Sequence, residues 1–401
     1  MNDLQDIDIF VSGGGVAGLA ATIAFAQAGF TTLCADPAPP ITDRDSDGAD
    51  LRTTAFLQPS QAFLNRIGLW PRLADHATPL QVMRIVDAGG PEPVARASHD
   101  FDAADISDAP FGWNLPNWLL RREMVAHIES LPNATFRPGT GTADVLTRAT
   151  EARIRLSDGT RLRAKLIVAA DGRNSPVREA VGVPVQTTRY GQKALAFAVT
   201  HDAPHGNVST EIHRTGGPFT LVPLPDHEGR PCSAIVWMEP GPEAQRLAAL
   251  PEPAFEAEMT ERSAHLYGPL KLVSRRTIWP IISQKADRLT AERTALVAEA
   301  AHVVPPIGAQ GLNMSLGDIE ALLDQAEANR DDPGAADGLA RYNRARWPEI
   351  SARVAGVDAL NRASMTESQP LRDMRMRALG VLHAATPVRK TLMRMGLGTK
   401  G

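Results

Sequence analysis

Glycines at fixed spacing near the amino terminus have the pattern of a dinucleotide-binding turn. The segment GGGVAG at residues 13–18 lies between two apolar stretches, and Asp36 ends the next one. Gly13, Gly15 and Gly18 would permit a tight turn and a close approach of the backbone to a pyrophosphate, whose charge the following helix end stabilises. Asp36 would accept a hydrogen bond from a ribose hydroxyl. The alternative is a glycine turn that binds nothing, and the motif alone does not distinguish FAD from NAD.

Two later segments combine carboxylates, glycines and prolines. The first is DGRNSPVR at residues 171–178, and the second is VAEAAH at 297–302, followed by PPIGAQGLN at 305–313. The last of these should begin a helix that runs to about Leu323. Its free backbone N–H groups and positive dipole end would stabilise an anionic ligand. The alternative is an ordinary loop between a strand and a helix.

The elements around these motifs predict a parallel sheet that the chain leaves and re-enters. Hydrophobic patterning predicts an opening strand, a helix to about Ala28 and a second strand, followed by a loop rich in Pro and Asp. A helix is expected over Leu119–Leu131. The predicted strands of the parallel sheet are Ile7–Val11, Phe30–Ala35, Leu166–Ala170 and Thr294–Ala298.

Alternating segments in Met83–Phe101 and in Val185–Trp279 predict a second, mostly antiparallel sheet. The fold class is therefore α/β, with a Rossmann-like domain, an inserted antiparallel domain for the substrate and a helical carboxyl terminus. The predicted divisions are residues 1–75, 108–183 and 284–350 for the cofactor domain, 76–107 and 184–283 for the substrate domain, and 351–401 for the helical region.

Composition excludes several classes of protein. The chain has 401 residues, a net charge of −4 and 43% hydrophobic residues, which predicts a globular protein without the basic face of a nucleic-acid binder. Cys34 and Cys232 are too few for a disulfide framework and lack metal-ligand spacing. The acidic first residues do not resemble a secretory signal, and no apolar stretch is long enough to span a membrane. We expect a cytoplasmic protein.

The three motifs occur in the order found in one enzyme family. Residues 171–178 resemble the DGxxSxVR signature, and residues 297–313 resemble the GD…PxxGxGxN signature, of the class A flavoprotein monooxygenases such as p-hydroxybenzoate hydroxylase. The C-terminal segment from Ser368 onwards resembles the ubiquinone-biosynthesis hydroxylases of that family. The resemblance implies non-covalent FAD, O₂ and hydroxylation of a hydrophobic aromatic substrate, a prenylated phenol of ubiquinone biosynthesis. It leaves NAD(P)H and a ferredoxin-like protein open as electron donors.

The resemblance also implies cofactor-binding residues beyond the first motif. Arg52, in the segment DLR at residues 50–52, is also the one candidate for a catalytic role. No side-chain acid or base is assigned, because the cofactor performs the difficult step. The alternative for Arg52 is a solvated loop arginine paired with Asp50. The implied cofactor residues are Arg52, Arg121, Asp171, Gly172, Glu299, Pro306, Gly308, Gly311, Leu312 and Asn313.

Several positions depart from the family pattern. Ala298 and Glu299 replace a more usual Gly-Asp pair, Arg121 stands where glutamine is frequent, and Gly317 where arginine is frequent. Two other functions stay open, and the change to Ala298 and Glu299 is the main reason for the second. One is a different flavoenzyme on the same scaffold, either a hydroxylase of small phenols or a prenyl reductase. The other is a non-catalytic FAD-binding subunit of an assembly.

Four further side chains have a structural and a functional interpretation. His302 could be a general base, but its place beside the cofactor loop favours a structural role. Trp237, Phe219 and Pro223 could line the sheet over the flavin, and core packing is the default.

The last part of the chain is basic. Residues 371–401 contain seven Lys or Arg and one Asp, a net charge of +6, interleaved with Leu, Met and Val. Such a tail could contact an anionic membrane, on the inner face of the cell membrane, or a biosynthetic complex. The alternative is a helical end packed against its own domain.

Overall fold

The computed structural model describes residues 4–398. Short 3₁₀ helices lie at residues 74–76, 103–105 and 298–300. The strands are β1 (Gln5–Ser12), β2 (Thr32–Asp36), β3 (Thr53–Leu57), β4 (Thr78–Leu80), β5 (Val82–Asp87), β6 (Ala97–Asp102), β7 (Gly112–Pro116), β8 (Ala134–Pro138), β9 (Thr142–Thr147), β10 (Ala152–Leu156), β11 (Arg161–Ala169), β12 (Val185–Thr200), β13 (Val208–His213), β14 (Pro218–His227), β15 (Arg230–Pro240), β16 (Lys271–Leu272), β17 (Thr277–Ala286), β18 (Thr290–Ala291), β19 (Thr294–Leu296) and β20 (His302–Val303).

The α-helices alternate with these strands in the first half of the chain and follow one another at its end. They are α1 (Val16–Gln27), α2 (Gln58–Arg66), α3 (Trp70–Leu73), α4 (Asn117–Glu129), α5 (Pro176–Ala180), α6 (Gly241–Ala249), α7 (Glu252–Arg262), α8 (Gln310–Ala328), α9 (Ala336–Ser364), α10 (Gln369–Ala384) and α11 (Thr386–Leu397).

The eight-stranded sheet positions the predicted cofactor motifs. Its path is β18-β19-β11-β1-β2-β8, and the pairs that β1 forms with β11 and β2 are parallel. Ile9, Phe10 and Val11 are fully buried because β1 is a central strand of the sheet and packs against α1 in the main core. The carboxyl ends of β1, β11 and β19 lie side by side, so the three motifs that follow these strands meet at one edge of the sheet. The predicted strands are confirmed, although β19 ends at Leu296.

The nine-stranded sheet is mostly antiparallel and follows the path β20-β17-β12-β15-β14-β13-β5-β6. One face packs against α6 and α7 around Leu195, Phe219 and Trp237. The other face packs through Ala194 and Met238 against the loop before α8. The second sheet predicted from the sequence is therefore confirmed, and its β12–β17 side adjoins the cofactor motifs.

A three-stranded sheet, β3-β7-β4, was not predicted. Although the sequence grouped residues 76–107 with the antiparallel sheet, β4 pairs with β7 instead. The side-chain amide of Asn114 on β7 donates to the carbonyl oxygen of Pro223 on β14 over 2.9 Å. The small sheet thus connects the two large ones. The domain limits drawn from the sequence stay a prediction.

Three helices, α9, α10 and α11, follow one another between Ala336 and Leu397, so the predicted helical carboxyl terminus is confirmed over the described residues. Helix α9 contacts β17 and β20, whereas α10 contacts β6 at the opposite side of the nine-stranded sheet. None of the helices in residues 4–398 is long and apolar enough to cross a membrane.

Candidate functional site

The glycine turn between β1 and α1 contains glycines with different physical roles. Gly13 has a φ of +106°, and a Cβ there would lie 2.4 Å from the carbonyl oxygen of Ala170. A Cβ on Gly18 would lie 1.8 Å from the carbonyl oxygen of Gly13. Packing of the turn therefore requires both glycines. Gly15 has an ordinary φ of −68°, and no protein atom lies within 4 Å of an ideal Cβ at that position.

A cavity of about 510 Å³ lies against this turn. Helix α1 begins there without a side-chain cap, which leaves its first N–H groups available for an anion. The sequence did not point to the loop GTGT at residues 139–142, although its glycines could have indicated a close approach of backbone to a ligand. The lining includes the predicted Gly13, Gly15, Asp36, Asp171 and Gly172 and the unpredicted Gly141, Thr142 and Ser157.

Asp36 lies at the edge of the cavity and holds the backbone around it. Its Oδ2 accepts a hydrogen bond from the N–H of Gly14 over 2.6 Å. Its Oδ1 accepts from the N–H of Ala38 over 2.8 Å. The carboxylate therefore fixes the glycine turn against β2, and a contact with a ribose hydroxyl would use its remaining lone pairs.

Asp171 contributes a buried acceptor that the described residues do not satisfy. Its Oδ2 accepts from the N–H of Val177 over 3.1 Å and from the hydroxyl of Ser12 over 3.4 Å. Its Oδ1 is buried and has no hydrogen-bond partner among residues 4–398. Burial raises the pKa of this carboxyl above its usual range. An oxygen left without a partner in a cavity wall indicates a place for a donor from a ligand.

Asp50, Arg52 and Arg121 form one cluster. The Asp50 carboxylate accepts two hydrogen bonds of 2.8 Å from the Arg52 guanidinium and one of 3.1 Å from the amide of Asn117. Arg121 lies 3.5 Å from the same carboxylate. Burial opposes ionisation of Asp50, but the Arg52 and Asn117 hydrogen bonds prevail and lower its pKa. The ion pair considered as the alternative for Arg52 is therefore present, and Arg52 also lies 5.4 Å from the ring centroid of Trp279.

Ala298 and Glu299 lie in a short 3₁₀ helix at the carboxyl end of the sheet. Ala298 has a φ of +55°, in the left-handed region that favours glycine. The Glu299 carboxylate is half exposed and lies 3.5 Å from the Arg173 guanidinium of the preceding motif. The departure from the Gly-Asp pair therefore leaves a carboxylate in place, at the cost of a strained backbone.

Arg178 connects the second and third motifs and was not among the predicted site residues. Its guanidinium is buried and donates to the carbonyl oxygen of Ala300 and to that of Arg173, each over 3.0 Å. The same oxygen of Arg173 accepts from the Gln284 amide over 2.9 Å. The arginine at the end of DGRNSPVR thus holds the two loops in register, a role that only the folded chain reveals.

The loop before α8 has two consecutive left-handed residues, Gly308 at φ +63° and Ala309 at φ +55°. In the PxxGxGxN pattern that ends at Asn313, Ala309 occupies the place of the first glycine. Helix α8 begins at Gln310 without a side-chain cap. Nothing lies within 4 Å of an ideal Cβ on Gly311. The first turn of this helix is therefore open, as an anion site requires.

Asn313 positions this helix end through both of its side-chain polar atoms. Oδ1 accepts from the N–H of Leu57 over 2.9 Å, and Nδ2 donates to the carbonyl oxygens of Ala55 and Ala309 over 2.8 and 2.6 Å. Leu312 packs against the main core. These contacts fix α8 to β3, and a direct contact of either residue with the cofactor stays a prediction.

His302 has the structural role expected for it. Its Nε2 lies 2.6 Å from Oδ2 of Asp318, and Oδ1 of Asp318 accepts from the Arg346 guanidinium over 2.9 Å. All three side chains are buried. Burial opposes ionisation of Asp318, but His302 and Arg346 together lower its pKa. The network joins β20, α8 and α9 behind the cofactor loop.

Trp237 and Phe219 pack in the core beneath the nine-stranded sheet, with ring centroids 5.3 Å apart. The indole N–H of Trp237 donates to Glu239 over 2.8 Å. Because the residues that face the cofactor loop lie on the other side of the sheet, neither ring lines the flavin side. The default of core packing is confirmed for both. Pro223 is buried, and its carbonyl oxygen accepts the hydrogen bond from Asn114.

Comparison with solved structures supports the predicted fold. The p-nitrophenol 4-monooxygenase PnpA from Pseudomonas putida matches with a TM-score of 0.80 and 19% identity, covering 99% of this chain and 100% of that one. PqsL from Pseudomonas aeruginosa, in complex with 2-aminobenzoylacetate, matches with a TM-score of 0.76 and 23% identity, covering 92% and 99%. At these identities the match concerns the fold alone.

Comparison of sequences identifies the family. A family profile described as an FAD binding domain matches residues 6–356. The ubiquinone hydroxylase UbiL of Rhodospirillum rubrum is 31% identical over 98% of this chain and 90% of its own length. The 3-demethoxyubiquinol 3-hydroxylase of Escherichia coli is 26% identical over 98% of this chain and 99% of its own length. The resemblance inferred from the motifs is confirmed, and the chain belongs to the FAD-dependent monooxygenase family that contains the ubiquinone hydroxylases.

Proposed function

We propose that this protein is an FAD-dependent monooxygenase that hydroxylates the aromatic ring of a prenylated phenol in ubiquinone biosynthesis. The relatives named as ubiquinone hydroxylases support the pathway because the similarity extends over nearly the whole chain. The observation that carries the cofactor assignment is the cavity in which Gly15 leaves open space and Asp171 presents an unsatisfied oxygen.

The residues of the cavity fit FAD. The uncapped end of α1 and the open side of Gly15 would hold the pyrophosphate. Asp171 and Glu299 are carboxylates that can accept from hydroxyl groups of the cofactor. Bound FAD would supply electron transfer and oxygen transfer from O₂. The open N-terminus of α8 would stabilise negative charge on the reduced cofactor without a charged side chain.

A row of small, mostly apolar side chains on one face of the nine-stranded sheet favours a hydrophobic aromatic substrate. Ala196 pairs with Val236, and Val236 pairs with Thr220, so these three side chains form a row on the face opposite Trp237. Val236 packs in the cluster that includes Ile307 of the cofactor loop. The row would leave room for an aromatic ring between the sheet and the flavin, and its apolar surface would exclude water from the reaction.

The electron donor is part of the proposal, as a choice between NAD(P)H and a ferredoxin-like protein. Mixing the holoenzyme anaerobically with NADH or NADPH, in the presence of the substrate, distinguishes the two. Bleaching of the flavin absorbance within seconds would identify the nicotinamide as direct donor. No bleaching until a reduced ferredoxin is added would identify the protein donor.

We also propose that the protein works in the cytoplasm, on the inner face of the cell membrane or in a biosynthetic complex, through its C-terminal tail. The tail packs against the nine-stranded sheet. A helical end packed against its own domain was the alternative to membrane contact considered from the sequence. Arg375 lies 3.5 Å from Asp87, and Arg389 lies 3.0 Å from Asp105. These internal pairs reduce the charge available to a purely electrostatic contact.

Metabolite analysis of a deletion strain tests the function. Loss of the gene should lower ubiquinone and cause a prenylated phenol that lacks one oxygen substituent to accumulate. When the gene is restored, oxygen-18 should enter the ring from O₂ gas and not from water. Normal ubiquinone without an intermediate, in a strain that has no second hydroxylase for the step, would exclude the pathway. Flavin-loaded protein that never consumes O₂ with any reductant would favour a non-catalytic subunit.

A further inference from the structure

The inner side of the tail is polar. Helices α10 and α11 turn charged and polar side chains toward the strands β5 and β6 and the 3₁₀ helix at residues 103–105. The contacts are Arg96 with Asp373 at 2.6 Å, Arg375 with Asp87 at 3.5 Å, Arg389 with Asp105 at 3.0 Å, and His383 Nε2 with the carbonyl oxygen of Asp100 at 2.8 Å.

The outer side of the same two helices is apolar. Seven of the thirteen exposed large hydrophobic side chains of residues 4–398 lie in α10 and α11, so this surface is concentrated rather than scattered. Their exposed fractions range from 42% to 70%. The outer apolar face consists of Leu371, Met374, Val381, Leu382, Val388, Leu392 and Met395.

Spacing places these residues in a stripe along each helix. Leu371, Met374 and Val381 recur at helical intervals in α10, and Leu392 and Met395 do so in α11. A surface helix ordinarily turns its apolar stripe to the core and its charges to water. Here the arrangement is reversed, since the charges contact the protein and the apolar stripe faces outward. The reversal indicates a surface that a membrane or another molecule covers.

The charges on α10 and α11 indicate what covers this surface. Arg377 lies between Met374 and Val381 on the exposed side of α10. Asp373 is the one acidic residue within Gln369–Leu397, and Arg96 engages it. The outer surface is therefore apolar and cationic, which matches a bilayer with anionic headgroups. With 16 and 12 residues, the helices are suited to lie in the interface and not to span it.

We propose that the outer apolar face inserts into the headgroup region of an anionic phospholipid bilayer, with apolar burial rather than charge as the main source of affinity. This proposal specifies how the protein would reach the membrane location proposed above, and only its biological purpose depends on that location. The sequence suggested attachment through the positive charge of the tail. The structure assigns several of those charges to internal pairs and gives the attachment to the leucine, valine and methionine side chains.

The tail lies next to the face of the nine-stranded sheet that is proposed to receive the substrate. The His383 ring lies 4.9 Å from that of His99 and 5.3 Å from that of Phe101, both on β6. Cross-strand pairs connect His99 through Ile85 and then Glu211 to Thr220. The tail therefore covers one end of the sheet face proposed to receive the substrate. A docked tail would bring this face close to the membrane in which a prenylated substrate dissolves.

Sedimentation with vesicles of phosphatidylcholine and phosphatidylglycerol tests the contact on the full-length holoenzyme. The test variant is Val381→Glu combined with Leu392→Glu, which puts two charges into the outer apolar face without touching an internal pair. The matched control is Leu146→Glu, since Leu146 is 51% exposed on β9, in the other large sheet. FAD content and melting temperature show that each protein is folded.

Wild-type protein and the Leu146→Glu control should bind, and most of the binding should persist in high salt because apolar burial is not screened. The double variant should lose about tenfold or more in partition coefficient, because two aliphatic side chains that would be buried in the bilayer are replaced by charged ones. No binding by the wild type, or equal binding by the double variant, would overturn the proposal. Self-association that the double variant abolishes, without vesicle binding, would overturn it in favour of a second copy of the chain. Oxygen-18 labelling in detergent tests the hydroxylase function independently.

Discussion

The two glycine-containing segments of the cofactor site differ in how well their sequences suit their backbones. In the turn after β1, the strained φ of +106° falls on Gly13, and the closest backbone approach falls on Gly18. In the loops before α8, two left-handed positions carry Ala298 and Ala309, each at φ +55°. The first segment thus uses glycine where the geometry demands it, whereas the second places alanine at left-handed positions that glycine would occupy without strain.

The comparison shows that strain in the second segment is supported by packing and hydrogen bonds. Asn313 binds the carbonyl oxygen of Ala309 and joins it to β3, Arg178 binds that of Ala300, and Asp318 anchors β20 to α8. A strained backbone persists only where its surroundings over-determine it. We therefore expect the second segment to respond most to the loss of its anchors and to gain stability when its strain is relieved.

The largest effect should come from Asp318→Asn. Removing the charge takes the buried anion away from His302 and leaves Arg346 paired only with the partly exposed Glu349, which costs about 3–5 kcal/mol in the free energy of unfolding. Urea denaturation measures this loss. The matched control is Asp324→Asn on the same helix, whose exposed pair with Arg66 should contribute less than about 1 kcal/mol. Equal effects of the two substitutions would show that the buried network does not anchor the second segment.

Glu299→Ala should have an intermediate effect, on FAD affinity. A charge-assisted hydrogen bond to the cofactor is worth about 1.5–3 kcal/mol, and the lower end applies because the Glu299 carboxylate is half exposed. FAD affinity, followed by quenching of flavin fluorescence, should fall about tenfold. Glu292→Ala, an exposed glutamate in the turn before β19, is the control and should bind FAD normally. Unchanged affinity in Glu299→Ala would show that this carboxylate does not contact the cofactor.

The smallest effect should be a gain. Ala309→Gly relieves a left-handed alanine and should raise the free energy of unfolding by about 1 kcal/mol. Ala345→Gly, at an exposed position inside α9, should instead lower it by about 0.5–1 kcal/mol. Thermal unfolding of both variants shows directly whether each substitution raises or lowers the free energy of unfolding. A loss of stability in Ala309→Gly would mean that the alanine methyl group makes a contact worth more than the strain.

The sequence predicted the elements of the cofactor site well because their signals are local. The opening strand, the helix after the glycines and the second strand were expected at Ile7–Val11, to Ala28 and at Phe30–Ala35, and they occur at Gln5–Ser12, Val16–Gln27 and Thr32–Asp36. Periodicity and glycine spacing fix such elements over a few residues. The family motifs predicted which loops meet, since parallel strands bring their carboxyl ends to one edge.

Features that depend on distant contacts were not predictable in this way. Arg178 was visible in its motif, but its acceptor at Ala300 lies far away in sequence. Thr142 lines the cavity only because β9 follows β8 at the edge of the sheet. The tail looked uniformly basic and apolar in sequence, and its two sides separate only when Asp87 and Asp105 are in place to bind its arginines.

The central claim, that FAD occupies the cavity beside Gly15, is tested most directly by the flavin content of Gly15→Val. The valine can adopt the φ of −68° and meets no protein atom within 4 Å, so the apoprotein should fold and melt normally. The control Gly356→Val adds the same side chain at another open position, in α9. Wild-type and control proteins should be yellow and release intact FAD on denaturation, whereas Gly15→Val should be folded and colourless. A folded Gly15→Val protein with a full complement of FAD, or release of NAD from the wild type, would contradict the assignment.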